Sequence, residues 1–138
     1  MMGRHRRSIA ASKAQTRAYA ARVVELVPVL RREIPAPASP SGSPAVVVLM
    51  GLPGVGKSHC ARLLCARLGA ACVASDQLRS RLFIAATYTE EENGFVFRAA
   101  DALLDVLLAE GHRVVLDATN LLARNRGAAT QTACRRGV

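Results

Sequence analysis

The chain has 138 residues, one domain's worth, with 51% hydrophobic residues, no Trp and a formal net charge of +9. No apolar run approaches the ~18 residues of a membrane span, and no apolar h-region follows the basic N-terminus, so neither a membrane-spanning segment nor a secretory signal is expected. The charge is uneven: residues 1–34 carry eight Lys/Arg against Glu25 and Glu33, whereas residues 35–138 carry eleven basic and eight acidic residues.

In chain order, residues 1–34 read as a basic helical leader. Ile9, Tyr19, Val23, Leu26 and Leu30 recur near the helical period from Ser8 to Glu33. Pro28 is expected to kink or end this helix near Val27, because it lacks an N–H and crowds the preceding turn. Such a leader suits a solvated basic helix, a weak contact with nucleic acid or anionic lipid, or a transit peptide. Residues 35–44 hold four prolines and read as an extended linker, so the leader need not pack on the rest of the chain.

Residues 45–138 alternate strand and helix. The spacing predicts a strand at 45–50 and a helix at 57–68 ended by Gly69. It predicts a second strand over Ala70–Ala74 and a short helix to Phe83 capped by Ser75 or Asp76. A long helix to Glu110 begins with Thr89 and Glu92 as a capping box, carries Gly94 in its first turns and ends at Gly111. A third strand covers Arg113–Asp117 and a last helix runs from Leu121 to Arg136. Alternating β and α elements imply a parallel sheet with right-handed crossovers. With Gly51–Ser58 matching the G-x-x-x-x-G-K-S phosphate-binding pattern between the first strand and helix, the expected fold class is α/β, a three-layer P-loop NTPase fold, which implies the sheet order 2-3-1.

Between the first strand and helix lies Gly51-Leu-Pro-Gly54-Val55-Gly56-Lys57-Ser58, the G-x-x-x-x-G-K-S pattern of a phosphate-binding P-loop, or Walker A. Glycines let backbone N–H groups approach phosphate oxygens. Lys57 is placed to reach the β- and γ-phosphates, and the Ser58 hydroxyl is a Mg²⁺ ligand. The helix beginning at Lys57 directs its positive end at the same phosphates. Asp117, after an apolar strand, is the expected second Mg²⁺ residue. It is not followed by Glu, which argues against water activation as the main purpose, and no guanine-reading Asn-Lys-x-Asp occurs. Asp76 ends the second strand at the crevice side of the sheet, where a carboxylate can take the proton of an attacking hydroxyl. Arg79, three residues on, could hold an acceptor phosphate or the transferring group.

The run Gly51–Ser58, then Ser75-Asp76-x-x-Arg79, Tyr88-Thr89-x-Glu91-Glu92-Asn93 and Leu116-Asp117-Ala118-Thr119-Asn120, resembles the AAA-type P-loop kinases. That group includes the kinase domain of polynucleotide kinase and the zeta toxins. The resemblance covers roughly residues 45–130 and implies ATP-dependent phosphoryl transfer to a hydroxyl, on a small molecule or a nucleic-acid end. It implies nucleotide contacts from Gly51, Gly54, Val55, Gly56, Lys57, Ser58 and His59. Mg²⁺ would be held at Ser58 and Asp117, with Asp76 as base, Arg79 orienting the acceptor and Lys57 on the phosphates. His59 stands where the family usually has Thr. Against the family pattern the chain stops where a further strand and an arginine-bearing lid are expected, which reads as an incomplete domain. The alternative function is therefore a nucleotide-binding fragment without catalysis. An uncovered first strand would then invite self-association. Cys60, Cys65, Cys72 and Cys134 form no C-x-x-C pair and read as reduced thiols of a cytoplasmic protein.

Overall fold

The computed structural model describes Ala18, residues 20–40, 42–119 and 122–138. Ser8–Arg17, Tyr19, Asn120 and Leu121, on which parts of the leader helix, the last motif and the last helix were placed, lie outside the described residues. The elements are α1 (residues 20–33), β1 (Val46–Leu49), α2 (Lys57–Leu68), β2 (Ala71–Ala74), α3 (Ser75–Leu82), α4 (Glu90–Ala109), β3 (Val114–Asp117) and α5 (Ala123–Arg135).

The sheet is parallel with order β1-β3-β2, as expected. Register places Leu49 and Ala74 on either side of Asp117, so all three strands end level, facing the P-loop. β3 is central and buried at all four positions. That accounts for its unbroken Val-Val-Leu run, since both faces are covered.

Alternation along the strands sorts the core into two layers. Val47, Leu49, Cys72 and Val115 face α2 through Ala61, Leu64, Cys65 and Leu68. Val46, Val48, Ala71, Val73, Val114 and Leu116 face a larger layer built on Phe95, Ala99, Leu103 and Leu107 of α4, with α1, α3 and α5 around them. α2 contributes the smaller layer because its sequence carries only one fully buried residue, Ala61.

Two local expectations are corrected. Pro28 does not end α1, which continues to residue 33. Pro28 and Val24, whose carbonyl loses its helical partner, are both on the exposed side, where water can replace the missing bond. Neither Ser75 nor Asp76 caps α3. The N-cap position is Ala74, with no side-chain bond, and both polar residues lie inside the first turn. Strand β2 thus runs directly into the helix, and the two side chains are left free to face the crevice.

The leader helix is also not merely tethered. Val23, Val27 and Leu30 are buried in the main core. Arg31 bonds Glu110 at 2.6 and 2.9 Å, and Arg22 stacks on Phe95 at 5.8 Å. These contacts lie against α4, and Glu33 pairs with Arg81 of α3, so α1 packs beside α3 and α4. Among the described residues no helix is long and apolar enough to cross a membrane.

The four cysteines are free. Burial pushes the Cys72 thiol up to about 12, with help from its contact to Cys65, and burial likewise raises Cys65. Thiolate is the reactive form. Iodoacetamide at neutral pH is therefore expected to label the exposed Cys60 and Cys134 in the native chain and to spare Cys65 and Cys72 until denaturant is added. Mass spectrometry of the alkylated peptides would check this, and equal labelling of Cys72 would contradict it.

Candidate functional site

The loop between β1 and α2 turns through two glycines in the left-handed region, Gly54 at φ 80° and Gly56 at φ 95°. A side chain at either would be strained, while nothing lies within 4 Å of an added Cβ. The glycines are therefore required by backbone conformation. Gly56 is the N-cap of α2 and makes no side-chain cap bond. The first-turn N–H groups of α2 are thus left for an anion. The loop is tied to the end of β3 by Gly51 N–H donating to Thr119 O at 3.2 Å. Lys57 Nζ donates to Leu52 O at 2.7 Å, which holds the ammonium over the loop.

These elements frame a cleft of about 550 Å³ at the C-terminal end of the sheet. Its walls bring together Gly54, Gly56, Lys57, Ser58 and His59 from the loop, Asp76 from α3 and Asp117 from β3. Three separate strand-to-helix junctions thus supply one site, because a parallel sheet aligns all its strand ends on one side. Asp117 is 7% exposed, whereas Asp76 and Ser58 are exposed. Asp117 therefore forms the floor of the cleft and Asp76 its wall. Val55 is 62% exposed at the loop tip. Gly51 and Val55 are not among the lining residues, but they belong to the same loop. Arg62 and Gln77 also line the cleft, and the sequence reading passed over both. Arg62 follows Ser58 by one helical turn, and that spacing is the signal which places it there.

Arg79 sits elsewhere. Its side chain is 8% exposed and does not line the cleft. Nη1 donates to Glu92 Oε2 at 3.0 Å, Nη2 donates to Asn93 Oδ1, and the guanidinium stacks 4.5 Å from the Tyr88 ring centroid. Three-residue spacing put it on the face of α3 turned toward α4, not toward the phosphates. Glu92 is the centre of this cluster. Thr89 Oγ1 accepts from Glu92 N–H at 3.2 Å, so the cap expected at Thr89 is present. The reciprocal half differs. The Glu92 carboxylate accepts from Thr87 N–H and Oγ1, both at 2.8 Å, and from Tyr88 N–H at 2.9 Å. These bonds, led by the one from the Thr87 backbone and joined by Arg79, hold its pKa below the ordinary glutamate range against the opposing effect of burial. They also fix Tyr88 at φ 56°, a conformation uncommon for a bulky residue.

An α/β sheet with a glycine loop, a lysine and two carboxylates gathered at its strand ends is a P-loop kinase-like nucleotide-binding fold. The chain belongs to the AAA-domain family whose model matches residues 46–138. Two solved structures of the Mycobacterium tuberculosis APS kinase CysC are similar, each 26% identical over 72% of this chain. A cysteine-to-alanine mutant has a TM-score of 0.58 and is covered over 72% of its length. The complex with AMPPNP and APS has a TM-score of 0.59, and the chain spans 60% of its length. No curated protein matches the sequence significantly.

Proposed function

We propose that the chain binds Mg²⁺-ATP in the cleft and transfers its γ-phosphoryl group to a hydroxyl acceptor. The observation that carries this is the convergence of Lys57, Ser58, Asp76 and Asp117, far apart in sequence, on one cleft. A solved similar structure holds the ATP analogue AMPPNP, which supports the nucleotide. In this reading Gly51, Gly54, Val55, Gly56 and His59 belong to the phosphate loop, with Lys57 on the β/γ-phosphates. The Ser58 hydroxyl and the Asp117 carboxylate are hard oxygen donors of the kind Mg²⁺ takes alongside phosphates and water. That ion, when bound, neutralises charge on the phosphates. Asp76 accepts the proton of the acceptor hydroxyl. The acceptor oxygen bonds the γ-phosphorus as the bond to the bridging oxygen breaks and ADP leaves. Arg79 acts as a positioning residue, through the Tyr88–Asn93 segment.

Lys57→Ala is expected to weaken ATP binding at least about tenfold, because a charge-assisted contact contributes roughly 1.5–3 kcal/mol. Titration calorimetry in Mg²⁺ buffer reads this directly, and equal affinity in wild type and variant would remove the basis of the assignment. Self-association through the β1 edge belongs to the same proposal. β1 pairs with β3 alone in the sheet, and its Val-Val-Val-Leu segment carries no charge to discourage pairing. Sedimentation velocity is expected to show concentration-dependent oligomers, whereas a monomer at all concentrations would contradict it.

A further inference from the structure

A second, larger hollow lies on the opposite side of the sheet from α2. The lower halves of α4 and α5 are pinned together: Thr132 Oγ1 donates to Asp101 Oδ1 at 2.7 Å, and Arg136 donates to both Asp105 oxygens at 2.6 and 2.8 Å. Toward their N-terminal ends the same two helices line a groove of about 930 Å³. Thr119 lines both this groove and the phosphate cleft, so the two meet just beyond the end of β3.

We propose that this groove seats the acceptor, and that the acceptor is a nucleoside- or sugar-sized hydroxylated molecule with an apolar face, not a nucleic-acid end. The inference rests on the proposed phosphotransfer function and names the substrate class for it. The volume falls within the roughly 300–1,000 Å³ of small-molecule sites, and the interhelical bonds close the lower end. Its floor is apolar, formed by Leu104, Leu116 and Ala129. Among the described residues the rim offers one acid and one base outside any hydrogen bond or ion pair, Glu90 and Arg124. With Glu91, Asp101 and Arg98 counted as well, the lining carries three acids and two bases, and a wall without excess positive charge suits a neutral or zwitterionic ligand. A nucleic-acid site would need several cations for successive phosphates.

Gly94 supplies an independent reason. It lies inside α4 and lines the groove, yet it has no positive φ, and an added Cβ would meet nothing within 4 Å. Neither backbone geometry nor packing demands glycine there, although glycine is the poorest helix former after proline. What the missing side chain does is keep the groove wide along α4.

The test is ligand-observed NMR on the full chain with Mg²⁺-AMPPNP, using a panel of nucleosides, hexoses and amino sugars and, separately, a 5′-hydroxyl oligonucleotide. At least one small-molecule member is expected to bind with Kd of about 1 mM or tighter, in keeping with a site of this size. Gly94→Leu should weaken that binding at least about tenfold, Gly94→Ala by less, with AMPPNP affinity and melting temperature not reduced. If Gly94→Leu melts lower, the comparison is made on Gly94→Ala alone. Absence of any binding from the panel, binding unchanged by either substitution, or binding of the oligonucleotide alone would overturn the groove assignment while AMPPNP binding kept the nucleotide site intact. Failure of AMPPNP to bind would overturn the phosphotransfer reading itself.

Discussion

Replacing Asp76 by Asn should slow phosphoryl transfer by about 10²–10⁴-fold, the usual cost of losing a general base, with ATP affinity within about twofold of wild type. The substitution keeps the size of the side chain. Asp76 makes no cap bond to α3, so removing its charge should leave the helix intact. It lines the cleft from α3, whereas Lys57 and Ser58 line it from the loop before α2. Transfer is measured with γ-labelled ATP and an acceptor found in the binding screen, and nucleotide affinity by calorimetry. Undiminished transfer in Asp76→Asn would take the base role away from this residue, and loss of ATP affinity in step with rate would move it to the nucleotide.

The second large effect concerns stability. Arg79→Met is expected to lower the melting temperature by on the order of 10 °C, because removing one partner of a buried pair leaves the other charge uncompensated. Three groups lose a partner together: the Glu92 carboxylate, the Asn93 carboxamide oxygen and the Tyr88 ring. The pH dependence has a definite sign. The folded pKa of Glu92 is depressed, so its contribution is full above the ordinary glutamate pKa and is lost as pH falls through the folded value. The melting temperature should therefore drop as the pH falls below the ordinary glutamate range. Glu92→Gln should flatten that drop without abolishing it, since the Arg136 hydrogen bond depresses Asp105 in the same direction. A melting curve of Arg79→Met that matches wild type would show that the cluster contributes nothing net. In that case Tyr88 must be held in its left-handed conformation by other means.

The placement of Arg79 shows where sequence reasoning reaches its limit. The spacing Asp76-x-x-Arg79 puts both residues on neighbouring positions of one helix face, but that face is wide enough to meet two surroundings. Asp76, in the first turn, is exposed and meets the cleft. Arg79, one turn deeper, is covered by the start of α4. The Glu92 carboxylate carries the same lesson. Thr89-x-x-Glu92 is a local signal and the Thr89 cap is present, yet the carboxylate is drawn to Thr87 and Tyr88 because Arg79, thirteen residues away, holds it on that side.

The sequence alone determined the elements whose cause is local. The ends of α2 follow from Gly56 and Gly69, both in the left-handed region. The parallel sheet follows from the alternation of strands and helices, and its order from the likeness to P-loop kinases. The gathering of Lys57, Ser58, Asp76 and Asp117 was legible for the same reason, since each ends or follows a strand and parallel strands end together. Only the tertiary structure decided the rest. It showed that α1 runs through Pro28 and buries Val23, Val27 and Leu30, because a helix tolerates proline where the freed carbonyl meets water and where its other face is bound to a core. It also decided that α4, α5 and the end of β3 line a groove, since the shape of a groove depends on how two helices pack, which no pattern within either helix specifies.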